Sequence, residues 1–461
     1  MRIQDTGKPL NPEPCSLPPV LHAYELHGSH IVLDVNSGSV HVTDPAAFYA
    51  ITHWGLPPEA LAEKFPGEDL GGLFGDIQKL IEQEKLFSPE IPLPPAPSSL
   101  PPVKALCLHV SHTCNLTCDY CFAQAGKYHG AEALMPFEVG RQALDFLLEH
   151  SGARRNLEVD FFGGEPLMNW QAVKALVAYA RSKEREFHKN FRFTLTTNGV
   201  LVDGDVIAFA NQEMSNVVLS LDGRKEIHDR LRRTVNGKGS YDLVVPKFQA
   251  FARARGEKNY YIRGTFTHFN PDFTRDLYHM ASLGFRALSM EPVVCAPGSP
   301  YALTPEDIET VKSEYEALAL EMARRRGAPD EFSFYHYNLD LKHGPCIHKR
   351  AAGCGSGRDY LAVTPTGELY PCHQFVGDPA FRMGDVRQGV TRPDIREAFA
   401  ACTLNARPAC HDCWAKYYCA GGCAANAYHA GGSIGGVYPA GCELFKKRME
   451  CAIWLATQEK S

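Results

Sequence analysis

The stretch His112-Thr113-Cys114-Asn115-Leu116-Thr117-Cys118-Asp119-Tyr120-Cys121-Phe122 carries three cysteines at offsets of four and three. It directly follows the apolar run 105–110. Three thiolates so spaced on one short loop can hold three irons of a four-iron, four-sulfur cube. The fourth iron is then left for a small molecule. The same offsets also suit small residues on one face of a helix, so spacing alone leaves both readings open. A second concentration of thiols lies far along the chain, at Cys346, Cys354, Cys372, Cys410, Cys413, Cys419, Cys423 and Cys442. Within it Cys410-x-x-Cys413 suits zinc as well as iron–sulfur. Cys15, Cys107, Cys295, Cys402 and Cys451 stand alone and read as small buried hydrophobes.

Composition narrows the class. At 461 residues the chain exceeds one ordinary core, so two or three domains are expected. A net charge of −6 argues against a dedicated nucleic-acid surface. The opening MRIQDTGKPLNPEPC has no apolar stretch, so no secretory signal is expected, and no run is long enough to span a bilayer. Sixteen cysteines without an export signal, and clustered, mean metal in a reducing cytoplasm rather than disulfides.

The elements that must position these thiols follow from pattern. After an extension over 1–20, residues 21–43 alternate as three strands, with Asn36-Ser37-Gly38 as a turn. Asp44-Pro45, Pro57-Pro58 and Asp69 then open three helices, the first through about Trp54; the last has Leu73, Ile77, Leu80 and Ile81 on one stripe. Residues 21–90 thus form a small winged-helix-like unit without a catalytic cluster. An edge strand in such a unit can accept an extended peptide, or the unit can simply cap its neighbour. The proline-rich 91–102 is a stiff spacer.

From 103 to 325 strands and helices alternate. Strands are expected at 105–110, 157–162, 192–197, 216–221, 260–266 and 286–292, and Thr304-Pro305 caps the last helix. Six such units make a parallel sheet covered by helices, an α/β fold suited to an open partial barrel. Chemistry in such sheets gathers at the carboxyl ends of the strands. The cysteine loop falls there, as do Gly163-Gly164-Glu165-Pro166, Thr197-Asn198-Gly199 and Ser220-Leu221-Asp222-Gly223. Residues 326–345 bridge to a cysteine-rich region over 346–445, which opens with a hairpin turning at 365–367, and a helix over 446–461 ends the chain.

Cys-x-x-x-Cys-x-aromatic-Cys followed by Gly-Gly-Glu-Pro after the next strand resembles the radical S-adenosylmethionine (SAM) superfamily. The resemblance implies a partial (β/α)6 barrel and a [4Fe-4S] cluster on Cys114, Cys118 and Cys121, whose open iron is chelated by SAM. Gly163, Gly164, Glu165 and Pro166 would meet the SAM amino group, with Glu165 closing that turn or accepting from the ammonium. Ser220 and Asp222 are implied for the ribose, Arg232 for the carboxylate, and Phe122 as a further cofactor contact. Bound SAM would yield a 5′-deoxyadenosyl radical that takes hydrogen from an unactivated carbon.

The later cysteines resemble the SPASM extension of peptide-modifying radical SAM enzymes. That implies two auxiliary [4Fe-4S] clusters: one on Cys410, Cys413, Cys419 and Cys442, the other on Cys354, Cys372 and Cys423, with Cys346 as fourth ligand or an open iron in its place. An open iron could bind a substrate thiolate. Together with Gly344-Pro345-Cys346 and Tyr370-Pro371-Cys372-His373-Gln374-Phe375, the whole chain resembles the maturases of SCIFF peptides. This implies a RiPP recognition element at 21–90, a cysteine-rich precursor peptide with a leader as partner, and an electron donor such as ferredoxin or flavodoxin. It also implies thioether formation between a cysteine sulfur and a carbon, commonly of threonine. Alternatives are a sulfatase-type maturase that oxidises Ser or Cys to formylglycine, and a non-enzymatic zinc protein. Candidate general bases are His109, His112, His268, His373 and Asp222.

Overall fold

The computed structural model describes residues 20–93, 99–296, 298–341 and 351–458. Cys15 and Cys346 lie outside them, as do residues 94–98 of the proline-rich spacer. Strands β1 (Leu21–Leu26), β2 (Ser29–Asp34) and β3 (Val40–Thr43) pair antiparallel in that order. Asp44 caps α1 (Pro45–Thr52), its carboxylate accepting from the Ala47 N–H. Pro58 opens α2 (Pro58–Lys64), and Asp69 caps α3 (Leu70–Glu82) by accepting from the Gly72 N–H. Ile77 is buried, and Leu73, Leu80 and Ile81 pack with it on a core around Val32, Ile51 and Leu61.

Chain order then gives β4 (Ala105–Ser111), β5 (Leu116–Cys118), β6 (Asn156–Gly163), β7 (Asn190–Thr197), β8 (Met214–Ser220), β9 (Arg232–Thr234), β10 (Tyr260–Phe266), β11 (Ala287–Pro292), β12 (Ser333–Phe334), β13 (Tyr360–Val363) and β14 (Glu368–Tyr370). The six strands expected from alternation are all present. They lie in one sheet in the order β11-β10-β8-β7-β6-β4, every neighbour parallel. Along β6 and β7 alternate residues (Leu157, Val159, Phe161; Phe191, Phe193, Leu195) are buried in the core shared with the covering helices. The other face carries Asp160, Phe162, Thr194 and Thr196 toward the barrel lumen. The strand order is linear with unpaired edges, so the barrel is open. Thr304 caps the helix Pro305–Arg325 in a reciprocal capping box with Asp307.

The sheet is wider than the sequence indicates. β12 adds a parallel edge beside β11; two residues are too few to show periodicity. At the other edge β13 pairs parallel with β4, and β14 and two short strands continue antiparallel. The hairpin of the cysteine-rich region therefore extends the barrel sheet. The last helix, Pro439–Thr457, starts ahead of position 446, with Pro439 in its first turn and Cys442 inside it.

That helix also seats the N-terminal unit. The Tyr24 hydroxyl donates to the Glu450 carbonyl at 2.9 Å, and His22 Nε2 lies 3.0 Å from Glu450 Oε1. The His22 ring stacks on Trp414 at 3.8 Å, beside Cys413. Among the described residues no helix is long and apolar enough to cross a membrane.

Asp34 joins the end of β2 to the chain leaving α3. Buried, it accepts from the Ser37 N–H and the Ser88 N–H, each at 2.9 Å, and from both serine hydroxyls. Asp34→Ala should cost about 1–3 kcal/mol in the N-terminal unit by orphaning those amides. Hydrogen exchange should quicken at Ser37 and Ser88 while the amides of β6 and β7 keep their protection.

Candidate functional site

The cysteine loop is not a helix. Cys118 lies in β5, which pairs antiparallel with β9 so that Cys118 faces Arg232, and a tight turn then brings the Cys121 N–H to 3.1 Å from the Cys118 carbonyl. The Gly163-Gly164 turn extends the β4–β6 ladder into this loop. The Gly164 N–H donates to the Ser111 carbonyl at 2.8 Å, and the Glu165 N–H donates to the Thr113 carbonyl at 3.0 Å. Gly163 has φ +126°, and a Cβ there would stand 2.2 Å from the Ser111 oxygen; one on Gly164 would stand 2.3 Å from the Thr113 oxygen. These glycines are thus required by the cysteine loop's own backbone.

Glu165 is fully buried and committed to closing the turn. Its carboxylate accepts from the Leu167 N–H at 3.1 Å, the Thr197 hydroxyl at 2.7 Å and the Asn198 N–H at 2.8 Å. Burial nevertheless pushes its pKa up to about 7. Pro166 begins the short helical turn that follows. Asn198 reaches back: its Nδ2 donates to Asn115 Oδ1 at 2.8 Å and lies 3.6 Å from Cys114 Sγ. The Leu116 N–H donates to the same sulfur at 3.4 Å.

Arg232 is buried, unlike its neighbours: Arg230 stacks on Phe269 at 3.6 Å, and Arg233 is exposed. Its Nη1 donates to the Tyr120 hydroxyl at 2.8 Å and lies 4.0 Å from Asp222 Oδ1; its buried Nε has no partner. Tyr120 in turn donates to Asp222 Oδ2 at 2.7 Å, while Asp222 Oδ1 accepts from the Thr265 N–H at 3.0 Å. Burial raises the Asp222 pKa against the pull of Arg232. Ser220 ends β8 on the lumen face, half-buried. Phe122 contacts the Tyr128 and His373 rings, so it meets the cysteine-rich region as well as the loop.

Burial pushes the thiol pKa up to about 11 at Cys114 and about 12 at Cys118, and Arg232 pulls both down. A cation and N–H donors set against dehydrated thiols are what a thiolate-held anionic cluster needs. The Arg232 Nε left open beside them fits a bound carboxylate. His109 and His112 touch at 3.2 Å, and burial depresses both, His112 to about 4. His373 is likewise lowered to about 4. His268 sits apart, beyond β10, its Nδ1 2.7 Å from Asp307 Oδ2.

The later thiols form two neighbourhoods. Burial raises Cys410, Cys419 (to about 11) and Cys442, and the nearby Cys413 sulfur adds to each; burial likewise raises Cys372 (to about 12) and Cys423, with Cys354 adding to both. Buried Arg407 serves the first set. It donates to the Gly421 carbonyl at 2.7 Å and the Ile434 carbonyl at 2.8 Å, leaves Nε unpaired, and lowers Cys410 and Cys442. Among the described residues no three His, Cys, Asp or Glu side chains converge on one ion-sized centre. A four-iron cube does not require that, because each thiolate binds a different iron.

Sequence reasoning missed Gly126 and Arg407 as working residues, and it placed Tyr120 and Asn198 in motifs without giving them a role of their own. The aromatic of the cysteine motif and the Asn-Gly strand end were visible, but their partners are long-range. Gly126 packs against Gly164, where a Cβ would come to 2.7 Å, and Arg407 carries no local signal.

Residues 108–279 match the radical SAM superfamily. The chain is 24% identical over 335 residues to the cysteine-type anaerobic sulfatase-maturating enzyme of Clostridium novyi (strain NT), covering 68% of this chain and 85% of the relative. Its fold is similar to that of anSMEcpe with bound AdoMet, with TM-score 0.66, 21% identity, and coverage of 77% of this chain and 95% of that one. It is also similar to Streptococcus suis SuiB bound to precursor peptide SuiA, with TM-score 0.53, 14% identity, and coverage of 92% and 98%.

Gly164→Ala should drive the turn off the cysteine loop. Iron retained after anaerobic reconstitution should then fall by about four per chain, while a Gly204→Ala control, with open space around its Cα, should keep the wild-type value.

Proposed function

We propose that this chain, which carries a radical SAM domain, matures a ribosomally made, cysteine-rich precursor peptide by joining a cysteine sulfur to a carbon of another residue, commonly threonine. One observation supports the leader-guided peptide maturation in this reading over its rivals. The 92% of the chain matched by SuiB is too large a share to be met without residues before 103, so the likeness takes in the N-terminal unit. That unit packs on the last helix, which also carries Cys442. A leader held there would deliver its core peptide to the barrel at high effective concentration.

When bound, SAM and a reduced cluster supply a 5′-deoxyadenosyl radical able to take hydrogen from an unactivated carbon. Cys114, Cys118 and Cys121 would hold that cluster, and Arg232 would take the SAM carboxylate with the guanidinium edge that Tyr120 leaves free. Ser220 and Asp222 would meet the ribose; Asp222 keeps acceptor capacity beyond its two hydrogen bonds. The Gly163–Pro166 turn would meet the amino group through its backbone, because Glu165 is occupied by three donors. The two later thiol groups would hold auxiliary clusters, with Cys346 or substrate sulfur completing the Cys354 set, and a ferredoxin- or flavodoxin-type donor supplying electrons. His373, whose ring touches Phe122, is neutral at pH 7 and is the best-placed candidate base.

The second reading is a sulfatase-type maturase, supported by the 335-residue match. The reduced protein, given SAM and the precursor peptide encoded beside its gene, should yield a product two hydrogens lighter with one sulfur resistant to alkylation. The same peptide without its leader should react on the order of a hundredfold less efficiently. Formylglycine in the product, or an unchanged mass, would count against thioether formation.

A further inference from the structure

Strand β10 carries a charged residue in the interior of the sheet. Tyr260, Ile262, Gly264 and Phe266 are buried, so Tyr261, Arg263 and Thr265 point to the lumen. Arg263 is exposed there, although β10 is flanked by β8 and β11. It pairs in register with Ser220 on β8 and with Ser289 on β11, so the three side chains share one lumen face.

The acid nearest the Arg263 charge is shared with other cations. Glu291, the next lumen-facing acid on β11, is already matched: His336 Nε2 lies 3.1 Å and Arg448 Nη1 3.7 Å from its carboxylate. Among the described residues the Glu291 carboxylate lies within ion-pair distance of His336 and Arg448 rather than of Arg263. The Arg263 charge bears on Glu291 in β11, on His336, and on His373 in the short helical turn after Cys372. Glu291 and Arg448 also line a cavity that reaches Cys295, Cys423 and Tyr438. A structural arginine in this protein looks different: Arg255 is buried and spends its guanidinium on the carbonyls of Ala210, Met214, Ser215 and Asn259.

We propose that Arg263 is an anion subsite for the bound peptide, receiving a substrate carboxylate or thiolate on the lumen face between Ser220 and Ser289. The proposal rests on reading the chain as a peptide maturase. A guanidinium stays charged at every working pH and presents a planar fork of donors, so in a partly dehydrated lumen it selects an anion and fixes its orientation. The SAM carboxylate would have its own arginine in Arg232, buried beside Cys118.

The test uses full-length, anaerobically reconstituted wild-type, Arg263→Gln and Arg263→Lys proteins with SAM present. Binding of N-acetyl-L-alanine, N-acetylcysteamine and N-acetyl-L-cysteine is measured by calorimetry at pH 7 and pH 9. At least one probe should bind wild type and lose about tenfold or more in affinity in Arg263→Gln, equivalent to about 1.4 kcal/mol, with Arg263→Lys between the two. SAM affinity and uncoupled SAM cleavage should stay unchanged. Binding of the alanine probe identifies a carboxylate site; binding of the cysteamine probe that strengthens toward pH 9 identifies a thiolate site. Equal behaviour of wild type and Arg263→Gln, absent binding included, overturns the proposal, and so does a parallel loss of SAM affinity. A probe shift without any modification of precursor by wild type keeps the subsite and removes the maturase reading instead.

Discussion

The site depends on one close backbone contact. Between β4 and β6 the ladder continues past the strand ends, so that Ser111 and Thr113 accept from Gly164 and Glu165. No side chain fits in that gap. With the turn locked there, the Glu165 carboxylate reaches Thr197 and Asn198 at the end of β7, and Asn198 reaches Cys114. Three strand ends are thus tied into one rigid floor beneath the thiols.

The other side of the loop is fixed by the β5–β9 pair and by Tyr120, whose hydroxyl joins Arg232 to Asp222. The cysteine-rich region closes over this arrangement as part of the same sheet. β13 runs beside β4, and Gly377 lies so near the Tyr128 carbonyl that a Cβ would come to 2.1 Å. The last helix then carries contacts outward, from Glu291 through Arg448 and from Cys442 to the N-terminal unit through Glu450. The cysteine loop, the N-terminal unit and the later thiols therefore share one framework, and a disturbance in any of them reaches the others through packed elements.

Much of this was legible in the chain. Alternation located all six central strands because each buries one face under helices, and Asp44, Asp69 and Thr304 capped their helices as their side-chain chemistry requires. The grouping of motifs at strand ends followed from the same pattern. What stayed hidden was pairing between distant segments. Nothing local says that Tyr360–Val363 runs parallel to Ala105–Ser111, or that Cys118 sits opposite Arg232. The Gly163-Gly164 pair was visible as a place of close approach, but the approaching partner, the cysteine loop's own carbonyls, is a tertiary fact. Arg232 looked no different from Arg230 and Arg233 until burial separated them.

The most direct measurement is 5′-deoxyadenosine formed from SAM by the dithionite-reduced protein, quantified by mass spectrometry beside Cys118→Ala. Wild-type protein should form it, and the variant should fall to background while its Cys410-group iron remains. Equal amounts from both, or none from iron-replete wild type, would contradict the assignment of Cys114, Cys118 and Cys121 as the SAM-cleaving centre.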